Sequence, residues 1–274
     1  AAMGHAYMPP KSKEGLFVWP AKPVDTGSSN EGDRRLLRRP KDLRPLTLKP
    51  GDNKIVAGVI NYAIIPTSAA CASLLQRGFV PGRHLVQNGI DLDYSGRFHA
   101  LRYYSNNDHW RFNLSIALGA LASVCDLPIL ALFDYAAAFP SVAHAWIFAV
   151  LENIKIPQGV LNAFLALYSG NEGYSAIGGL ITWIFSVTCG VLQGCPFSGS
   201  LFVIAIDPLL HLFEKYIQSP GHGQIYACAD DIGASVTSCK SLITLFHLFA
   251  LMTRASGLTL KPSKCVLIPT VFEL

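Results

Sequence analysis

Charge is scarce in this sequence: Asp, Glu, Lys and Arg make up 15% of its 274 residues, against 51% hydrophobic ones. So apolar a chain is folded or membrane-embedded, not a solvated coil. Clean apolar runs of spanning length are also lacking. The longest run, Leu114 to Phe133, is broken by Asp126 and Pro128, and Leu201 to Phe213 is short and holds Asp207 and Pro208. A bilayer span asks for about 20 mostly apolar residues, so both runs are expected in a buried core and no membrane partner is expected. No CxxC pair occurs, and the seven cysteines (Cys71, Cys125, Cys189, Cys195, Cys228, Cys239 and Cys265) are odd in number. Neither a zinc site nor a disulfide framework is expected, and a reducing compartment suits the chain. Residues 1–19 have no apolar core behind a basic start, so no secretory leader is expected. The first residues do not resemble a natural start, which suggests a piece of a longer chain.

What charge there is lies unevenly. Residues 1–54 hold 11 of the 22 Lys and Arg but 6 of the 18 Asp and Glu, whereas the remainder balances to within one charge. The densest run is Asp33 to Lys41, followed by Arg44, Lys49 and Lys54. Clustered cations attract polyphosphates; they also serve as an ordinary solvated face.

Residues 1–32 are rich in Gly, Pro, Ser, Lys and Asn, and are expected to form a loose extension. Regular structure is expected from near Asp33, with a short strand at Arg44 to Leu48. A helix is expected over Lys54 to Ile64, stopped by Pro66, and a second over Ser68 to Arg77, stopped by Gly78. Leu114 to Cys125 reads as an apolar helix. Pro128 to Phe133 reads as a buried strand ending at Asp134. Helices are expected at Val142 to Ile154, Gln158 to Tyr168, Ser198 to Tyr216 and Ser241 to Ser256, the last ended by Gly257. Glu172 to Phe185 reads as a hairpin around Gly178-Gly179. Gln224 to Ala229 and Ile232 to Val236 read as a second hairpin, with Asp230-Asp231 at its tip. Leu258 to Leu260 and Cys265 to Ile268 read as closing strands.

Three acids sit where stability alone would not put them: Asp134 at a buried strand's end, and the adjacent Asp230 and Asp231. Buried carboxylates need partners, and neighbouring ones raise each other's pKa unless a cation intervenes. Mg²⁺ prefers such oxygens while keeping waters and substrate phosphates. The chemistry that uses this pattern is nucleotidyl transfer, in which one ion activates the attacking oxygen and another holds the leaving pyrophosphate. A lone Asp-Asp pair is more often an ordinary polar turn, so context has to decide.

The context is a series of six segments: LRPLTLKPGDNKI (43–55), QRGFVPGR (76–83), LALFDYAAAFPSV (130–142), CGVLQGCPFSGSLF (189–202), YACADDIGASV (226–236) and GLTLKPSK (257–264). In content and order they resemble the reverse transcriptase of non-LTR (LINE-type) retrotransposons, over about residues 40–270. The resemblance implies an α+β, right-hand polymerase fold of fingers and palm, the palm an antiparallel sheet backed by helices. It places fingers at 33–125 and palm at 126–274, with a fingers-side insertion near 155–185 and no thumb. It implies RNA-directed DNA synthesis with two Mg²⁺ ions (Mn²⁺ as an alternative) held by Asp134, Asp230, Asp231 and the carbonyl of Tyr135. Phe139 matches the aromatic gate that excludes a ribose 2′-hydroxyl. Gln193 and Gly194 match the segment at the incoming nucleotide, and Arg44 the fingers arginine on its triphosphate. Lys264 falls near a late-palm lysine proposed as an acid for pyrophosphate, or is a solvated cation. Gly82 and Arg83 are placed at the template backbone; Lys54 reads as surface charge. The implied partners are an RNA template, a DNA primer and dNTPs, in an intracellular ribonucleoprotein of nucleus or cytoplasm.

The chain departs from the family pattern at Ala137 (usually Lys), Pro140 (usually Asp), Leu192 (usually Arg), Gly199 (usually Pro) and Cys228 (usually aromatic), without loss of an implied metal ligand. A viral RNA polymerase, a group II intron reverse transcriptase and a non-catalytic RNA-binding remnant are the competing readings. Ala229 before the acid pair and Phe139 at the gate position count against the first.

Overall fold

Two four-stranded sheets and the helices packed on them organise the chain in the computed structural model, which describes residues 14–18, 46–48, 50–106, 126–177 and 180–271. The first sheet is mixed, with β1 (Glu14–Val18), β2 (Leu46–Leu48), β4 (Asn171–Ile177) and β5 (Leu180–Val187) in the order β2-β1-β4-β5. Here β1 runs parallel to β4, and the other pairs are antiparallel. The second sheet is antiparallel throughout, with β3 (Ile129–Phe133), β6 (Gly223–Cys228), β7 (Asp231–Val236) and β8 (Val266–Pro269) in the order β6-β7-β3-β8. This is the expected palm sheet, and the architecture is α+β as read from the sequence.

Strand period explains how the second sheet divides its side chains. In β3, Ile129, Ala131 and Phe133 are buried on one face; β7 presents Val236, Ala234 and Ile232 beside them in register. On that face Phe133 meets Phe246 and Phe249 of α7 (Lys240–Ser256), and Phe249 in turn meets Phe213 of α6 (Ser198–Phe213). The intervening residues of β3 and β7 point to the other face. There lies α2 (Leu85–Asn106): Gly233 leaves room for Leu92, and His99 Nδ1 meets Ser235 Oγ at 3.0 Å. Helix α6 is apolar nearly all round and correspondingly buried, from Leu201 through Ile206 and again at Leu209, Leu210 and Phe213. Helix α7 ends where Gly257 turns left-handed at φ 81°.

Four sequence expectations are revised. Helix α1 runs unbroken over Gly51–Cys71, through Pro66. Pro66 removes the partner of the Tyr62 carbonyl, but Tyr62 is 84% exposed and solvent can serve that group. There is no second helix over 68–77, and residues 72–84 form turns. The long helix α2 has no counterpart in the sequence reading. Its buried stripe is Asn88, Leu92, Ser95, Gly96 and His99, so the helical period is carried by polar and small residues. Finally, β1 lies inside the segment expected to be loose, so regular structure begins before residue 33. The expected helix at 114–125 lies outside the described residues. Helices α4 (His144–Asn153) and α5 (Gln158–Tyr168) fall where expected, as do both hairpins. Short α3 (Ala138–Ser141) joins β3 to α4.

By length and composition α1 could cross a membrane. In this fold it packs on α5 and α6, and its Asn61 Oδ1 accepts a hydrogen bond from Ser200 Oγ at 2.7 Å. The six described cysteines are free thiols.

Burial holds His99 and His144 below the ordinary histidine range, and Arg102 adds to this at His99. A histidine depressed in the fold gives stability that is complete above its unfolded value of 6.5 and is lost as pH falls from there toward the folded value. Lowering the pH from 7.5 to 5.5 is therefore expected to lower the urea midpoint by roughly 0.2–0.5 M, and His144→Gln should remove part of that dependence. A wild-type midpoint that rises on acidification would contradict this.

Candidate active site

Alternation along β3 sets the first acid. Phe133 and Tyr135 turn into the core, where both rings meet Phe249, at centroid distances of 4.8 and 6.0 Å. Asp134 between them is thereby directed to the opposite face. The β3–β7 register pairs Phe133 with Ile232, and one further step puts Asp134 across from Asp231. The β6–β7 hairpin closes with Cys228 opposite Asp231, leaving Ala229 and Asp230 as its two-residue turn. Two acids 96 positions apart in sequence, Asp134 and Asp230, thus meet at one end of one sheet.

Electrostatics reports the same convergence. Burial raises the Asp230 carboxyl above its ordinary range, and the charges of Asp231 and Asp134 raise it further, while Lys264 opposes them. Lys264 Nζ lies 3.1 Å from Asp134 Oδ2. That oxygen is buried and receives no hydrogen bond of good geometry from the described residues, so the ammonium compensates charge rather than filling a directed bond. Lys264 belongs to a 3₁₀ turn, Pro262–Lys264, held when Lys261 N–H donates to the Asp134 carbonyl at 2.8 Å. With Ala136 N–H donating to Thr259 at 2.8 Å, this forms the Tyr135–Leu260 bridge. Such a non-hydrogen-bonded pair turns the Tyr135 carbonyl away from Leu260, toward the hairpin edge. The expected strand over 258–260 is reduced to this single bridge. The Tyr135 hydroxyl is buried without a hydrogen-bond partner among the described residues, and burial, then Asp230, drives its pKa far upward.

Among the described residues, no group of three or more acid, histidine or cysteine side chains is already gathered at metal-ligating distances. The donor chemistry nevertheless fits a hard divalent cation: carboxylate oxygens, two of them on adjacent residues, with one buried oxygen facing only an ammonium.

On α3, Phe139 is half-buried. Its ring stacks on Phe202 at 4.4 Å and 12°, and meets Phe79 edge-on at 6.0 Å. The carbonyl of Phe139 accepts from Val191 N–H at 2.8 Å, which ties the loop carrying Gln193 and Gly194 to α3. Gly190 sits in the left-handed region at φ 84°, and a Cβ there would come within 2.6 Å of the Pro140 carbonyl oxygen. His144 Nε2 holds the Gly190 carbonyl at 2.8 Å; a carbonyl only accepts, so this nitrogen carries the proton. Gln193 is half-buried, and Gly194 is exposed with φ 92°. Leu192, in place of the family's Arg, is buried. Gly199, in place of its Pro, lies under Phe79, where a Cβ would approach the ring to 2.7 Å. Lys54 lies beside Leu192 and Cys195.

Arg83 was expected at the template backbone. Its guanidinium is instead occupied by main-chain carbonyls: Nη1 donates to Ser73 at 2.6 Å and Gln76 at 2.7 Å, and Nη2 to Ala69 and Ala72 at 3.3 Å each. It caps the end of α1, where unpaired carbonyls favour a cation. Gly82 is exposed, with open space around it. Arg44 lies outside the described residues. One residue the sequence reading passed over, Gln76, is buried against the hairpin turn: its Oε1 accepts from Ala229 N–H and from Gly78 N–H, both at 2.8 Å. Gln76 opens the QRGFVPGR segment, but nothing in the sequence alone says that its side chain reaches the hairpin turn 153 positions away.

An antiparallel sheet with an acid at the end of one inner strand and an acid pair on the adjoining hairpin is the palm of a nucleic-acid polymerase. Comparison with known proteins agrees. The profile of the family described as reverse transcriptase (RNA-dependent DNA polymerase) matches residues 30–273, and the chain belongs to that family. The Transposon TX1 uncharacterized 149 kDa protein of Xenopus laevis is 29% identical over 188 residues, which cover 68% of this chain and 12% of that protein. Among solved structures, telomerase from Candida tropicalis in complex with the TWJ fragment of telomeric RNA aligns with a TM-score of 0.64 at 8% identity, covering 96% of this chain and 42% of that one. Apo telomerase from the same organism, truncated of its C-terminal domain, aligns at 0.59 and 9%, covering 95% and 51%. At such identities the likeness shows the fold, and the chain spans at most about half of these relatives.

Proposed function

We propose that this chain is the polymerase core of a non-LTR retrotransposon protein, joining deoxynucleotides to a primer 3′-hydroxyl on an RNA template. The observation that carries the reading is the placement of Asp134, Asp230 and Asp231 at one end of the palm sheet, where burial and then the neighbouring carboxylates raise Asp230. Two divalent ions bound there would activate the primer hydroxyl and hold the leaving pyrophosphate. The chain's own part is to hold the ligands. Asp134 and Asp231 project from facing strands, Asp230 from the turn, and the Tyr135 carbonyl faces the hairpin side. Lys264 compensates Asp134 until a cation does, and is then free for a phosphate oxygen. Phe139, backed by Phe202, presents a ring edge to the sugar, and the Gly190–Gly194 loop lies alongside it. The basic N-terminal segment supplies cations for the nucleic-acid backbone, in a ribonucleoprotein of nucleus or cytoplasm.

Primer extension on an RNA template tests the proposal. Incorporation of dNTPs that needs Mg²⁺ or Mn²⁺ is expected. Salt-sensitive RNA binding without extension would replace the reading with a non-catalytic RNA-binding protein, and preference for rNTPs would replace it with an RNA polymerase. Phe139→Ala is expected to raise rNTP use relative to dNTP by about tenfold or more. An unchanged ratio in single-nucleotide insertion would remove the gate role from Phe139.

A further inference from the structure

The hairpin turn that carries the acid pair is an awkward one. Ala229, its first residue, has φ 55°, a left-handed conformation that a residue with a Cβ adopts only under strain. Its neighbour Asp230 is half-buried, next to Asp231 and at the same sheet end as Asp134. Left to itself, such a turn would relax and carry both acids with it. Segment 75–78 opposes this. It runs beside β6 like a short extra strand: Arg77 N–H donates to the Ala227 carbonyl and Ala227 N–H to the Leu75 carbonyl, each at 2.8 Å. From there Gln76, fully buried, reaches around the turn, and its Oε1 takes the N–H groups of Ala229 and Gly78 together. Gly78 has to be glycine for this approach, since a Cβ would come within 2.3 Å of the Ala229 nitrogen. Arg77 anchors the same segment from outside, pairing with Asp91 of α2 and lying 4.6 Å over the Tyr226 ring.

We infer that Gln76 is a positioning residue for the acid pair: its side-chain amide holds the strained turn so that Asp230 and Asp231 stay directed at a shared divalent cation. The inference rests on the reading of these acids as a metal site. It goes beyond that reading because Gln76 itself touches neither cation nor nucleotide. The physical reason is that a buried acceptor shared by two main-chain donors is costly to remove, leaving both N–H groups unsatisfied. Residues that orient ligands typically matter by about 10–100-fold in metal affinity or activity.

The test uses Gln76→Met, which keeps the volume and removes the amide, measured on the whole chain by Mn²⁺ titration with electron paramagnetic resonance and by primer extension. Mn²⁺ affinity is expected to fall about 10–100-fold, and kcat to fall while KM for dNTP stays within about twofold. Hydrogen exchange at Ala229 and Gly78 is expected to quicken ahead of the rest of the sheet. Should Gln76→Met not fold, Gln76→Asn, which withdraws the amide by one methylene, gives the same readouts. A folded variant with wild-type Mn²⁺ affinity and metal dependence overturns the inference. A wild type whose Mn²⁺ binding is indifferent to Asp230→Asn overturns the metal-site reading, and the positioning role falls with it; the two failures are thus told apart.

Discussion

Asp230→Asn should reduce RNA-templated incorporation by about 10²–10³-fold or more and, in metal-free buffer, leave the protein slightly more stable than the wild type. The two effects have one cause. Asp230 is half-buried, and its carboxyl is raised by burial and by the charges of Asp231 and Asp134. A carboxylate raised in the fold costs stability wherever it is ionised, so near neutral pH the native state carries a repulsion that the unfolded chain escapes. Asparagine keeps the shape and drops the charge. Because the group is partly solvated, the gain is a fraction of a kcal/mol, or roughly 1–2 °C in melting temperature. As pH falls from 7 toward 3.8, the wild type protonates and the gap closes. Added Mg²⁺ should reverse the order, since a ligand that binds only the native state stabilises by mass action and Asp230→Asn has lost part of the site. Calorimetry with and without Mg²⁺ at pH 7 checks this. A metal-free Asp230→Asn that melts several degrees below wild type would mean that Asp230 serves stability, and the assignment of the acids would have to be rebuilt.

Phe249→Ala should have the largest effect on folding, about 3–5 kcal/mol. Phe249 is 2% exposed and its ring meets Phe133, Tyr135 and Phe213 at 4.8, 6.0 and 5.2 Å. It thus joins the inner strand β3 to helices α6 and α7. The loss combines transfer of a large ring to water with a cavity that three other rings cannot close. Against a typical stability of about 5–15 kcal/mol, this is enough to leave a weak variant partly unfolded at 37 °C. Urea denaturation at 15–25 °C should show a lowered midpoint with a similar slope. Because the removed ring supports the residues on both sides of Asp134, polymerase activity should fall in the fraction that remains folded as well. A loss below about 1 kcal/mol would show that the site collapses easily and that Asp134 is held from elsewhere.

How far the sequence could be read follows from where its signals lay. Strand β3, hairpin β6–β7 and helices α4 to α7 are apolar runs with sharp punctuation, and their placement agreed closely. The acids were legible because Asp134 closes one such run and Asp230-Asp231 interrupts another, so that motif order and strand ends spoke together. Helix α2 was not legible, since the face it buries is Asn88, Ser95, Gly96 and His99 around a single Leu92; a hydrophobic period cannot report a polar contact stripe. Helix α1 was cut short because Pro66 normally ends a helix, and whether it does depends on which side meets water. Arg83 was read as a nucleic-acid contact by its motif, whereas its four carbonyl partners are visible only once residues 69–76 fold back around it. Gln76 shows the same limit: its role comes from a hydrogen bond to Ala229, 153 positions away.

The alternation Phe133–Asp134–Tyr135 has a consequence for how such an element ages. Side-chain direction in a strand depends on odd or even count, so one residue inserted into or deleted from β3 would carry the acid inward and an aromatic ring outward in a single event. Substitutions leave that count untouched: Ala137, Pro140 and Leu192 stand where the family usually has other residues, and β3 keeps a continuous register with β7. Point changes can therefore leave the direction of Asp134 intact as a sequence diverges, while a one-residue insertion or deletion within these five residues reverses it at once.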